Sequence, residues 1–134
     1  MVPCRRMTGT VAVIGAGAWG TALCKLLADN GNTVRLWARQ TEVVASVNEQ
    51  HENVRYLPGA ILPPGMTASD DPEKVLQGAD LVLLAVPSHV TRAVLGDLDK
   101  LMPKGVPYVS ATKGIENESL RFISGIVEDV LGPE

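Results

Sequence analysis

The pattern Gly15-Ala16-Gly17-Ala18-Trp19-Gly20 constrains this chain more than any other stretch, because of what stands on either side of it. Residues 10–15 (TVAVIG) form a short β-branched apolar run that ends on the first of these glycines, and residues 18–30 follow with Leu23, Leu26 and Leu27 at helical spacing. A strand that turns through glycines into a helix leaves backbone N–H groups and the positive end of the helix dipole at the turn. In that position Gly15 supplies the tight turn, Gly17 lets a ligand approach the backbone, and Gly20 lets helix and strand pack closely.

The rest of the chain repeats the alternation. Residues 33–37 read as a second strand, and Thr41 is placed to cap a helix through Gln50, with Glu42 in its first turn. Residues 51–65 are polar and rich in Pro and Gly, too irregular for either period, and predict a packing or functional loop. A brief strand at 66–68 and a short helix at 72–77 precede DLVLLAV at 80–86, the clearest buried strand. Ser88 can cap a helix to about Leu101, residues 107–112 give a fifth strand, and residues 120–131 a last helix closed by Gly132-Pro133. Five strands alternating with five helical segments predict an α/β fold, a doubly wound, mainly parallel sheet of the Rossmann type in the order 3-2-1-4-5.

Composition fits a folded unit of this kind. A chain of 134 residues, 46% hydrophobic but with one Phe, two Tyr and two Trp, must build its core from Val, Leu, Ile and Ala. A net charge of −3, with Arg5-Arg6 as the one basic cluster, argues against nucleic acid as a partner. Cys4 and Cys24 have no metal-like spacing, which favours a reducing compartment, and neither is given a role. Arg5-Arg6 followed by residues 11–19 imitates a secretory signal, but Gly15 and Gly17 interrupt the apolar part and cleavage would remove a strand that the pattern needs. No run reaches the ~18 apolar residues of a membrane span, so a cytoplasmic location is expected.

The glycine pattern in this position predicts a dinucleotide as ligand. In NAD-selective versions an acid about 20 residues beyond the glycines bonds the adenosine ribose. Here that stretch reads Trp37-Ala38-Arg39-Gln40, and the guanidinium of Arg39 can pair with a 2′-phosphate and stack on adenine, so NADP is favoured or at least admitted, beside NAD. Val86-Pro87-Ser88-His89 and Ala111-Thr112-Lys113-Gly114-Ile115-Glu116 fall on the carboxyl edge of the sheet. Lys113 reads as a cation for a substrate phosphate or the reacting oxygen. His89, in a first helical turn, suits a polar contact better than acid chemistry, and Ser88 a cap better than a nucleophile.

GAGAWGTAL (15–23), LWAR (36–39), NVRYLPG (53–59), VPSH (86–89) and ATKGIE (111–116), in this order, resemble the bacterial NAD(P)-dependent glycerol-3-phosphate dehydrogenases. The resemblance runs from Thr10 onward, and ATKGIE with YLPG sets it apart from ketopantoate and 6-phosphogluconate types of enzyme. It implies reversible reduction of dihydroxyacetone phosphate to sn-glycerol 3-phosphate for phospholipid synthesis. It also implies cofactor contacts at Ala18, Trp19, Arg39, Tyr56 and Lys113, with Lys113 touching substrate as well. That family often has Ser where this chain has Ala18, a change that a backbone N–H contact survives. The resemblance further implies an N-terminal extension (1–9), a nucleotide-binding domain (10–134) and a helical catalytic domain beyond Glu134 that carries the proton-transfer lysine. No catalytic residue is expected within the chain itself, and the full-length form admits a homodimer. A stand-alone NAD(P)-binding regulatory module is the alternative.

Overall fold

A computed structural model describes residues 8–133. The elements are β1 (Thr10–Ile14), α1 (Ala18–Asp29), β2 (Thr33–Trp37), α2 (Thr41–Gln50), β3 (Met66–Ser69), α3 (Pro72–Leu76), β4 (Leu81–Leu84), α4 (Ser88–Leu98), a 3-10 turn (Asp99–Leu101), β5 (Tyr108–Ser110) and α5 (Ile123–Leu131). The five strands are parallel and run β3-β2-β1-β4-β5, the order the alternation predicts.

Both faces of the sheet are covered, which is why its strands are apolar at consecutive positions. Ala12 and Ile14 point to one side, where Leu95 and Leu98 of α4 and Ile126 of α5 pack on them; Val11 and Val13 point to the other, against Cys24 of α1 and Val43 and Val47 of α2. Ile14 sits between Trp37 and Leu84 in register and has no exposed surface. Cutting such a side chain to Ala costs about 2–5 kcal/mol. Burial pushes the Cys24 thiol pKa up, so this residue behaves as the small apolar helix residue that its place suggests. Cys4, Arg5 and Arg6 lie outside the described residues.

The strand order reverses direction at β1. From β1 the chain moves out to β2 and β3, then crosses back to β4 and β5 on the far side, so the loops after β1 and β4 diverge and leave a crevice at the carboxyl edge.

Several local boundaries differ from the sequence pattern, each for a visible reason. Thr41 does not cap α2: Gln40 holds the N-cap position without a side-chain bond and Thr41 is already helical. Ser88 is likewise the first residue of α4, behind Pro87 at the N-cap. That helix gives way to the 3-10 turn at Asp99 rather than running unbroken to Leu101. The last helix begins at Ile123, three residues late, because Leu120 adopts φ 56° and Ile115 bridges Phe122 across a tight turn. By contrast α3 starts as a short helix should, with Asp71 accepting the Glu73 N–H at 3.0 Å and Pro72 in the first position. No helix among the described residues is long and apolar enough to cross a membrane.

Candidate functional site

The crevice is a cleft of about 530 Å³ floored by the glycine loop. Three glycines there do three different jobs. Gly15 has φ +121°, and a Cβ on it would sit 2.7 Å from the Ala85 backbone, so the turn off β1 passes too close to β4 for any side chain. On Gly20 a Cβ would lie 2.0 Å from the Gly15 carbonyl oxygen, which fixes how closely α1 packs on its own turn. Gly17 lines the cleft, and a Cβ on it meets nothing within 4 Å, so the fold itself tolerates a side chain there.

Above that floor stands the N-terminus of α1. Its first intrahelical bond runs from Thr21 N–H to the Gly17 carbonyl at 3.0 Å, so the N–H groups of Ala18, Trp19 and Gly20 precede the ladder. No acidic side chain occupies the first turn, and the partial positive charge there is left for an external anion.

One end of the cleft is built by the residues after β2. Trp37 donates its indole N–H to the Asp70 carbonyl at 3.2 Å, and the Arg39 guanidinium lies over the Trp37 ring at 5.2 Å. Arg39 also meets Asp97 of α4, Nη2 to Oδ2 at 3.5 Å. Tyr56 hydrogen-bonds the Gln40 amide at 3.0 Å through its hydroxyl, and Val90 and Val94 of α4 form the facing wall. This end of the cleft is largely apolar, with the cation of Arg39 on its rim.

At the other end three loops are fastened together. Trp19 donates its indole N–H to the Ala111 carbonyl at 2.9 Å, joining the glycine loop to the segment after β5. Thr112 donates to the Val86 carbonyl at 2.9 Å, joining that segment to the loop after β4. Lys113 is exposed, with its Nζ 4.7 Å from the centre of the Trp19 ring. All of Gly15, Gly17, Ala18, Trp19, Gly20, Arg39, Tyr56 and Lys113 line this one cleft.

The family profile described as the N-terminus of NAD-dependent glycerol-3-phosphate dehydrogenase matches residues 10–134. This chain belongs to that family. Over 128 residues it is 49% identical to glycerol-3-phosphate dehydrogenase NAD(P)+ 2 of Mycobacterium tuberculosis, covering 96% of this chain and 38% of that protein. A crystal structure of glycerol-3-phosphate dehydrogenase from Coxiella burnetii superposes with a TM-score of 0.86 at 32% identity, over 94% of this chain and 38% of that one. A ketopantoate reductase from Ralstonia eutropha reaches a TM-score of 0.69 at 27% identity, over 93% of this chain and 39% of that one. The chain therefore spans well under half the length of the relatives it matches.

Two supports behind this cleft carry no periodic signal in the sequence. Asn53, in the irregular loop, is fully buried and donates to the Ala16 carbonyl at 3.0 Å and the Thr21 hydroxyl at 2.9 Å, while its own oxygen accepts the Tyr56 N–H at 3.1 Å. It thereby ties the glycine loop to the tyrosine segment. The NVRYLPG motif begins on Asn53, but nothing in the sequence marked it as the residue that does the tying. Behind Lys113, Glu116 accepts two bonds from Arg92, at 2.8 and 2.9 Å, and Arg92 also reaches Asp129 of α5 at 3.1 Å. Those bonds from Arg92, then one from Ser119, hold the Glu116 carboxyl down to a pKa of about 2. His89 is exposed and does not line the cleft, and Ser88 packs beside Gly114 instead of capping. Among the described residues no group of three or more His, Cys, Asp or Glu side chains could hold a metal.

Proposed function

We propose that this chain is the cofactor-binding part of an NAD(P)-dependent glycerol-3-phosphate dehydrogenase, which interconverts dihydroxyacetone phosphate and sn-glycerol 3-phosphate by hydride transfer. The observation that carries the reading is the glycine loop itself: Gly17 is bare on its ligand side while Gly15 and Gly20 are bare because the fold leaves no room. A dinucleotide fits that cradle. Its pyrophosphate would be held by the N–H groups of Ala18 and Trp19 at the positive end of α1. The slot between Trp37, Arg39 and Tyr56 on one side and Val90 and Val94 on the other suits an adenosine end. A bound nicotinamide supplies or accepts the hydride, and this chain's residues orient it.

Lys113 stands at the opposite end from that slot, held over Trp19. There it can neutralise a substrate phosphate or polarise the reacting oxygen, which acquires negative charge as hydride arrives. Arg92, through Glu116, fixes the loop that presents Lys113. The catalytic proton donor is assigned, as the resemblance to the family implies, to a lysine beyond these residues, and Lys113 in the cleft is assigned the neutralising charge. The dehydrogenase names of the relatives and the family profile support this activity, and no observation favours a stand-alone regulatory module. A cytoplasmic location, phospholipid synthesis as the use of the product and a homodimer in the full-length form belong to the same proposal.

Energy transfer tests the reading directly. Trp19 and Trp37 both line the cleft, so their emission should be quenched by NADPH or NADH as nicotinamide emission appears. No saturable transfer with either cofactor would remove the assignment.

A further inference from the structure

We propose that Asp97 sets the cofactor preference of this cleft, by drawing off the charge of Arg39 and by supplying from α4 the carboxylate that the end of β2 lacks. The inference rests on the dinucleotide reading above and deepens it. Asp97 lies one helical turn beyond Val94, on the helix that forms the wall facing Trp37 and Arg39. Its Oδ2 is 3.5 Å from Arg39 Nη2, so the ion pair joins the segment after β2 to α4 at the edge of the slot, with Asp97 just outside the residues that line it.

Both side chains remain largely in water, 60% exposed for Arg39 and 72% for Asp97. A pair that exposed contributes little to folding. Its consequence falls on whatever enters the slot. A guanidinium that already faces a carboxylate presents no net charge to a newcomer, and it is oriented by Trp37 at the same time. A 2′-phosphate therefore has to share Arg39 with Asp97 and sit within several ångströms of that carboxylate. A ribose that ends in a 2′-hydroxyl meets no such repulsion, and its hydroxyl can donate a hydrogen bond to a carboxylate. Arg39 alone would make the slot NADP-selective; Arg39 with Asp97 opposite admits NAD.

A phosphate of charge near −2 and a carboxylate about 7 Å apart in water repel enough to change affinity by about fivefold. The interaction is between exposed charges, so it fades once the Debye length falls well below that separation, as it does near 1 M salt.

The experiment is a fluorescence titration of NADPH and NADH on the 134-residue chain and on Asp97→Asn, which keeps the shape and removes the charge. The expected result is an NADPH-to-NADH affinity ratio about fivefold higher in the variant at low salt, shrinking toward the parent ratio at 1 M salt. Asp97→Ser should shift the ratio in the same direction, and both variants should melt with the parent. An unchanged or lower ratio in both variants, with the parent binding both cofactors, overturns this inference and leaves the dinucleotide reading standing. Failure of the parent to bind either cofactor overturns both.

Discussion

Asn53 and Thr21, 32 residues apart and both without exposed surface, share a 2.9 Å hydrogen bond beneath the glycine loop. The same Asn53 amide donates to the Ala16 carbonyl at 3.0 Å, so one side chain fixes both the turn and the helix that follows it. Asn53→Ala is expected to cost about 1–3 kcal/mol, because the deletion leaves buried acceptors underbonded. Asn53→Asp should be at least as harmful, since an ionised carboxylate cannot donate to the carbonyl. Urea denaturation measures the loss, and NADPH affinity should fall with it. Coincident midpoints for parent and Asn53→Ala would show that the loop holds its shape without this clamp.

Gly17 and Gly20 separate a ligand requirement from a folding requirement. Gly17→Val places a branched side chain in open cleft, so its stability cost should stay within about 1 kcal/mol, mostly from a poorer N-cap residue. NADPH affinity should nevertheless drop at least about tenfold, or 1.4 kcal/mol. Gly20→Val forces a Cβ toward the Gly15 carbonyl at 2.0 Å and should unfold or severely destabilise the chain, beyond the usual ~1–3 kcal/mol of overpacking. Calorimetry paired with cofactor titration reads both. Equal NADPH affinity in Gly17→Val and parent would sink the assignment of the loop.

Arg39→Asp should discriminate between cofactors. Losing a charge-assisted bond to a 2′-phosphate costs roughly 1.5–3 kcal/mol, a loss that NADH escapes because it has no such group. The new carboxylate would stand near Asp97, adding repulsion toward phosphate alone. If NADPH and NADH weaken equally, Arg39 acts by stacking on adenine and not through its charge.

The sheet order and most element limits were readable because they follow from local rules that the chain obeys. TVAVI and LVLL are apolar at successive positions since both sheet faces are covered, and Asn30-Gly31 and Pro72 punctuate their helices in the usual way. All eight residues expected to contact the cofactor lie along one cleft. What the sequence hid were tertiary ties. Asn53 sits in a stretch with no period, and its partners are 32 and 37 residues away. Asp97 looks like any solvated helix residue until the fold brings it to Arg39 in the segment after β2. Leu120 has strong helical neighbours, yet the Arg92–Glu116–Asp129 ion pairs and the Ile115–Phe122 bridge impose a tight turn that puts it at φ 56°.

That same cluster predicts an acid-sensitive loop behind Lys113. The Glu116 carboxyl is held at about 2, below its value in an unfolded chain, first by Arg92 and then by Ser119. A depressed folded-state pKa contributes stability that is fully present above the unfolded pKa and is lost as pH falls toward 2. Between about pH 5 and pH 2 the parent should therefore lose stability more steeply than Glu116→Gln, which should be the less stable of the two at pH 7. Denaturant midpoints across that range give the comparison. Parallel pH curves for the two proteins would mean that the pair is no stronger in the fold than out of it.

The 134-residue chain should bind a dinucleotide and yet fail to reduce dihydroxyacetone phosphate. Hydride transfer to a carbonyl leaves an alkoxide that needs a positioned proton donor, and the walls around it must exclude water and orient a small phosphorylated ketone. The cleft offers Lys113 at that end, exposed and with no carboxyl or imidazole among the lining residues to relay a proton. Binding and catalysis should come apart: NADPH fluorescence saturates, while NADPH absorbance stays flat on adding the ketone. Joined to the additional length present in its relatives, the same cleft is expected to turn over. Lys113→Ala in that longer protein should then lower kcat by about 10² or more with little change in melting, because an exposed strand-end lysine contributes charge to the reacting oxygen and little packing. Robust ketone-dependent oxidation of NADPH by the 134-residue chain would place the proton donor inside it, with Lys113 as the residue to test first.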